Sequence, residues 1–400
     1  MKRHILSPRR SLVGSALSMD QRRMGPESRK RQITEVRNAR HEDATEQEVR
    51  RWLQEGDPSR VKTVTAEDEA QLTGARIVEM VDEEANRLER ELDGISVIED
   101  CELDLIQPRR ETVGHKTSLQ DADLWHLKDI GLTALRERDF TGTGKDVGVA
   151  VLDTGIDTSH PELVGRVVSH FAVPDDGPVT EQPNGGDTDG HGTHVAGLIC
   201  GETTGVAPGA AITDCAMLPG GRGRLSHFAK ALEWAAGRPE IEILNMSAGL
   251  PGYREGLEMQ ILDVLATGVL PVIAIGNEGR NQTRSPGNYL QVLSVGASNK
   301  KRRVATFSGS GHMVFENHGY NVPSLVAPGE SVYSCVMGGG YENWDGTSMA
   351  TPIVSGIAAL LLERYPDLPM SELGERLLES CVELTGRRER YGNGLIQAVI

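Results

Sequence analysis

Hydrophobic residues in the later two-thirds of this 400-residue chain gather in short unbroken runs: "DVGVAVLD" (146–153), "ILNMSAG" (243–249), "GVLPVIAIGN" (268–277) and "VLSVGA" (292–297). Runs of this length without polar alternation predict strands buried on both faces. Apolar positions at helical spacing fall between and after them, over 191–201, 225–236, 255–267 and 348–364. Strands alternating with helices predict an α/β domain over 121–400, a doubly wound, mostly parallel sheet with helices on both faces.

The front of the chain is patterned differently. "RQITEV" (31–36) predicts a strand, and "ATEQEVRRWLQEG" (44–56) a helix with Val49, Trp52 and Leu53 on one face. "RVKTVT" (60–65) alternates and "ARIVEMV" (75–81) is extended. "DEEANRLEREL" (82–92) predicts a helix capped by Asp82, and "GISVIED" (94–100) a last strand. The order βαββαβ is a split, ferredoxin-like unit over 31–107. One helix over 67–93 is the competing pattern, and Gly74 speaks against it. Residues 108–120 are a polar connector.

Charge changes the picture at the N-terminus. Residues 1–40 hold 11 Lys/Arg against 3 Asp/Glu, so the remaining 360 carry −24 of a total −16. No aromatic residues are interleaved with the basic ones, so 1–30 reads as a solvated, disordered arm rather than a nucleic-acid or membrane contact. The five cysteines are scattered without a CxxC pair, which argues against a disulfide framework and a zinc site. No apolar segment is long enough for a signal peptide or a membrane span, so the expected location is cytoplasmic.

Candidate chemistry sits where predicted strands end. Asp153 closes a strand, His191 opens an apolar helix, Asn277 follows another strand, and Ser348 opens the last long helix. Each has a bland reading: a turn-capping Asp, a structural His, a turn Asn, and a serine that caps a helix whose first turn holds Pro352. Together they supply an acid, a base, an amide donor and a nucleophile, the inventory of acyl transfer.

The chain order Asp153, His191, Ser348 within "DTGIDTSHPEL", "HGTHVAG" and "GTSMATP" resembles the subtilisin-like serine proteases, or subtilases. The resemblance runs over about 120–400 and includes "GVAPGA" (205–210), "NMSAG" (245–249), "GNEG" (276–279), "FSGSG" (307–311), "VAPG" (326–329) and "YGNGLIQ" (391–397). It implies a serine endopeptidase with Ser348 as nucleophile, His191 as general base, Asp153 orienting the imidazole, and Asn277 in the oxyanion hole. Substrate would pair as an added strand with Ser247, Ala248 and Gly249 on one side and Gly221, Arg222 and Gly223 on the other. Arg284 would line the primary specificity pocket, and with Arg222 and Arg224 would favour acidic side chains in the substrate.

The segment "NRLERELDGISVIEDCELDLI" (86–106) resembles the end of a subtilase propeptide. That implies a self-inhibited zymogen, cut within the connector, with the N-terminal unit as its own inhibitor and proteins or peptides as substrates. No cofactor is implied, because the stretch between Gly197 and Gly205 is too short for the calcium loop many relatives carry. A peptide ligase or cyclase would use the same acyl-enzyme, and a locked regulatory module the same fold.

Overall fold

A computed structural model describes residues 1–11, 26–65, 70–110, 114–315 and 317–400. Eight strands form the central sheet in the order Leu325–Pro328, Leu293–Ser298, Leu270–Ala274, Ile243–Met246, Gly148–Asp153, Ala211–Ala216, Val167–Ala172 and Thr180–Gln182. Every pair is parallel except the last, where Thr180–Gln182 runs against its neighbour. The doubly wound sheet is as expected.

Successive side chains of a strand point to opposite faces, and the core divides accordingly. Val149 and Val151 enter one apolar layer with the helices His191–Cys200 and Thr347–Arg364. Ala150 and Leu152 enter the other, with Leu225–Ala236 and Glu258–Ala266. Thr347–Arg364 is buried from Thr347 through Leu362, so its register cannot slide without exposing core. Because this helix begins at Thr347, Pro352 falls in its second turn rather than its first. Its ring removes the hydrogen bond that residue 352 would otherwise give to the Ser348 carbonyl.

The N-terminal unit has the split topology, but its first strand is not at 31–36. Strand β1 (Lys2–Pro8) is followed by α1 (Pro26–Glu42), α2 (Ala44–Glu55), β2 (Val61–Thr63), β3 (Arg76–Met80), α3 (Asp82–Glu91) and β4 (Ile95–Glu99). The sheet order is β2-β3-β1-β4, all antiparallel. The basic arm expected over 1–30 is therefore incorrect at its start. His4, Ile5, Leu6 and Ser7 are buried between β3 and β4, and Arg3 pairs with Glu79 and Asp176. Residues 12–25 of that arm lie outside the described residues. "RQITEV" is helical because its apolar positions, Ile33 and Val36, continue to buried Arg40 at i, i+3, i+7 spacing. The single helix over 67–93 does not form, since β3 and α3 divide its described part.

The unit packs on Leu225–Ala236 and Glu258–Ala266, with Ile5, Ile33, Val36 and Leu72 completing the second core layer. Polar contacts fix the pose. Arg40 Nη2 meets Asp263 Oδ2 at 2.5 Å with both side chains buried. Glu233 accepts the N–H groups of Gln71, Leu72 and Thr73 at 2.7–2.9 Å. Asp100 accepts Ser226 N and Oγ at 2.9 Å, placing a carboxylate at the positive end of helix Leu225–Ala236.

Two buried histidines tie stability to pH. His126 Nε2 lies 2.9 Å from the Thr204 carbonyl and His194 Nε2 3.1 Å from that of Glu342, while both Nδ1 atoms are buried without partners. Burial pushes their pKa values down to about 4 and about 3. The unfolded chain takes up these protons near pH 6.5 and the folded chain does not, so stability falls as pH drops from there toward 3–4. Burial raises buried Asp214 to about 6, which returns stability as pH falls from 6 to the ordinary carboxylate range. Between pH 7 and pH 4 the histidines account for about five pH units and Asp214 returns about two, leaving a net loss of about 4 kcal/mol. Urea unfolding at pH 7 and pH 4 is expected to show this loss, reduced in His126→Asn, which keeps a donor for Thr204 but cannot ionise. Equal stability at both pH values would contradict it.

Candidate active site

The strand Gly148–Asp153 delivers Asp153 to the carboxyl edge of the sheet, where it is fully buried. His191 is the first residue of its helix. Gly190 before it has φ 95°, a left-handed conformation glycine adopts without strain. A Cβ on the next residue, Gly192, would run into the Gly155 carbonyl oxygen, so glycine lets helix and turn approach. The result is a short contact: His191 Nδ1 lies 2.7 and 2.9 Å from the two Asp153 carboxylate oxygens. Thr154 N also donates to Asp153 Oδ1 at 2.8 Å.

Two residues to which the sequence assigned no catalytic role hold the site. Asp187 accepts Thr154 Oγ1, Gly190 N, Thr193 N and Thr193 Oγ1, pinning the strand end to the first turn of the helix. Thr347 orients Asn277, giving its N–H (2.9 Å) and its hydroxyl (3.0 Å) to Asn277 Oδ1. The amide nitrogen of Asn277 is thereby turned outward. The signal for Thr347 was its place beside Ser348, and for Asp187 the acidic run before His191.

A strap from the N-terminal unit fills the cleft. Strand β5 (Glu102–Leu105) lies antiparallel between Arg222–Arg224 and Ala248–Pro251, with Leu103 opposite Gly223, Asp104 opposite Gly249 and Leu105 opposite Ala248. Ile106 N donates to the Ser247 carbonyl at 2.9 Å. A second strand, β6 (Arg109–Arg110), pairs with Tyr341–Asp345 beyond Ser348. Residues 111–113 of the connector lie outside the described residues.

At Ser348 the strap is split between two carbonyls. Ser348 Oγ donates to the Ile106 oxygen at 3.0 Å, whereas Asn277 Nδ2 donates to the next one, that of Gln107, also at 3.0 Å. His191 Nε2 is buried and has no partner. The carbonyl beside the serine is not the one held by the asparagine.

The structure brings Asp153, His191, Asn277 and Ser348 to one end of the sheet, with Ser247, Ala248, Gly249, Arg222 and Gly223 along the strap. Gly221 and Arg284 line a cavity of about 470 Å³ beside Gln107, with Glu278 and Asp345. Of the acid-selecting arginines, Arg284 needs correction. Arg284 is paired with Glu278 at 2.7 Å and donates to the Gly249 carbonyl at 2.8 Å. Arg224 is paired with Asp100 at 2.6 Å. Arg284 is thus matched within the catalytic domain, whereas Arg224 is matched only by the N-terminal unit that fills the cleft.

Comparison with known proteins shows the family. The family model described as "Subtilase family" matches residues 144–394. The chain is 36% identical over 280 residues to subtilisin BL of Lederbergia lenta, covering 68% of this chain and 96% of that protein. Over 280 residues, 68% of each chain, it is 36% identical to alkaline elastase YaB of Bacillus sp. (strain YaB) and 34% identical to subtilisin E of Bacillus subtilis (strain 168). The chain belongs to the subtilase family and is a serine endopeptidase acting on proteins or peptides.

Proposed function

We propose that Ser348, His191 and Asp153 form the catalytic triad, and that the chain is a zymogen inhibited by its own N-terminal unit. The observation that carries this reading is the strap itself. A segment of this chain lies in the cleft as an added strand, and Ser348 and Asn277 grip its backbone carbonyls. In a productive complex Ser348 Oγ attacks one carbonyl carbon and passes its proton to His191 Nε2, the nitrogen with no other partner. Asp153 holds the Nδ1 proton and stabilises the imidazolium. Asn277 Nδ2 and the Ser348 N–H bind the oxyanion, and His191 then protonates the leaving amine. Water repeats these steps on the acyl-enzyme.

The split register supports inhibition without cleavage. The Ile106 oxygen takes the serine's own proton and lies off the asparagine. The Gln107 carbonyl has the asparagine but is followed by Pro108. The contacts through Arg40, Glu233 and Asp100 keep the unit on the enzyme until the connector is cut. The five free thiols support a reducing compartment such as the cytoplasm. No helix among the described residues is long and apolar enough to cross a membrane.

Ser348→Ala is expected to abolish peptide hydrolysis, and Asn277→Ala to lower kcat by roughly 10²–10³, the size known for such a donor in subtilisin. Thr347→Val, which removes the hydroxyl and leaves only the residue 347 N–H to aim the Asn277 amide, is expected to cost about tenfold in kcat with little change in KM. Undiminished activity in Ser348→Ala would remove the assignment.

Leu103→Asp, at a buried strap position, is expected to raise the hydrolysis rate of the full chain by weakening the plug. Residues 1–107 supplied separately are expected to inhibit, and 31–107 to fail for want of β1. A full chain no less active than Leu103→Asp would exclude inhibition by the strap.

We further propose that stability does not depend on calcium. The stretch between Gly197 and Gly205 is too short for the calcium loop many relatives carry. An ion bound at a hundred times its Kd adds about 2.7 kcal/mol. A fall in Tm of about 5 °C or more on adding EDTA would therefore reveal a resident ion.

A further inference from the structure

The strap continues past the nucleophile, and its Arg110 enters a place whose walls are held by contacts within the catalytic domain. The Arg110 guanidinium forms an ion pair with the Asp189 carboxylate and donates to the Asp189 carbonyl at 3.3 Å. Its carbon lies 4.5 Å from the centroid of the Trp344 ring. Trp344 is held without help from the arginine. It is nearly fully buried, stacks on His194 at 4.2 Å and 7°, and donates through Nε1 to Glu342 at 2.9 Å. Asp189 is fixed by its N–H, which donates to Asp187 Oδ1 at 3.0 Å. Both walls lie on segments that carry the site: Asp189 is two residues before His191, and Trp344 four before Ser348.

We propose that the leaving-group side of the cleft contains a subsite for a substrate arginine, with Asp189 and Trp344 as its walls. The occupied position is the third residue after the carbonyl held by Asn277. The inference rests on the proposed reading of Asn277 and Ser348 for that register. The chemistry favours arginine over lysine, because a planar guanidinium stacks on the indole while its fork meets the carboxylate. The neighbouring Arg109, opposite Asp345, is less committed, with its guanidinium 5.9 Å from the Phe307 ring. The substrate class is therefore basic on the leaving-group side, where charge in the cleft is not already paired within the catalytic domain.

Internally quenched peptides that differ only in Arg, Ala or Glu at that position test the subsite with the full chain. The ratio of kcat/KM values within one preparation is independent of how many molecules have an open cleft. Arginine is expected to be preferred over alanine by about tenfold, the preference to vanish in Asp189→Asn, and glutamate to become the better substrate in Asp189→Arg. A ratio near one in the parent, or an arginine preference that survives Asp189→Asn, would overturn the proposal. Amide hydrogen exchange across 106–110 in the full chain carrying Ser348→Ala gives a readout that needs no turnover. Exchange is expected to quicken about tenfold in Asp189→Asn and in Arg110→Ala. Unchanged exchange in both would show that the walls do not hold a guanidinium. Peptide cleavage persisting in Ser348→Ala would instead remove the triad reading, and the exchange experiment alone would then decide the subsite.

Discussion

The contact between Asp153 and His191 sets the terms for the rest of the molecule. A carboxylate with no exposure to water is tolerable only when hydrogen bonds replace its hydration. Here the partners are the His191 ring and the Thr154 N–H, contributed by a helix start and a strand end 38 residues apart. Both elements must therefore be immovable. Asp187 ties them together, and the buried helix Thr347–Arg364 packs against His191–Cys200 on the same core layer. The sheet is a rigid frame on which one costly burial is made affordable.

Much of this frame was legible. Continuous apolar runs mark strands covered on both faces, and residues at their carboxyl ends are where an α/β sheet places chemistry. Asp153, His191, Asn277 and Ser348 all fall there. The front of the chain was harder, for a reason that lies in pattern length. β1 has five consecutive buried residues between Lys2-Arg3 and Arg9-Arg10, too short a run to outweigh the charges around it. Ile33 and Val36 alone fit either a helix or an irregular strand, and only Arg40, buried against distant Asp263, decides for the helix.

Charge was misread for a different reason. A sequence gives the sign of a side chain but not its partner. Arg224 is matched by Asp100, which lies 124 residues earlier in the N-terminal unit. Arg284 is matched by Glu278, only six residues away, but the pairing depends on the Gly276 turn and on a third contact to the Gly249 carbonyl. In this structure Arg284 is therefore matched within the catalytic domain and Arg224 by the bound N-terminal unit, while Asp189, an acidic group of the cleft, is paired with Arg110 of the strap.

On the proposed zymogen reading, this arrangement separates affinity from cleavage. The strap is bound as substrate would be, with strand pairing on both sides of the nucleophile and buried leucines at 103 and 105. Such binding alone would make it a substrate. Hydrolysis additionally requires that one carbonyl meet both the serine and the asparagine, because attack and charge stabilisation occur at the same group. The strap presents two carbonyls, one to each. To merge them, either the pairing before the nucleophile or the pairing after it must shift by a residue, which would send alternate side chains to the wrong face. Leu103 and Leu105 resist the first shift by leaving their apolar layer, and Arg110 resists the second by leaving Asp189 and Trp344. The inhibitor survives because both of its ends are anchored in a register that its middle does not fit.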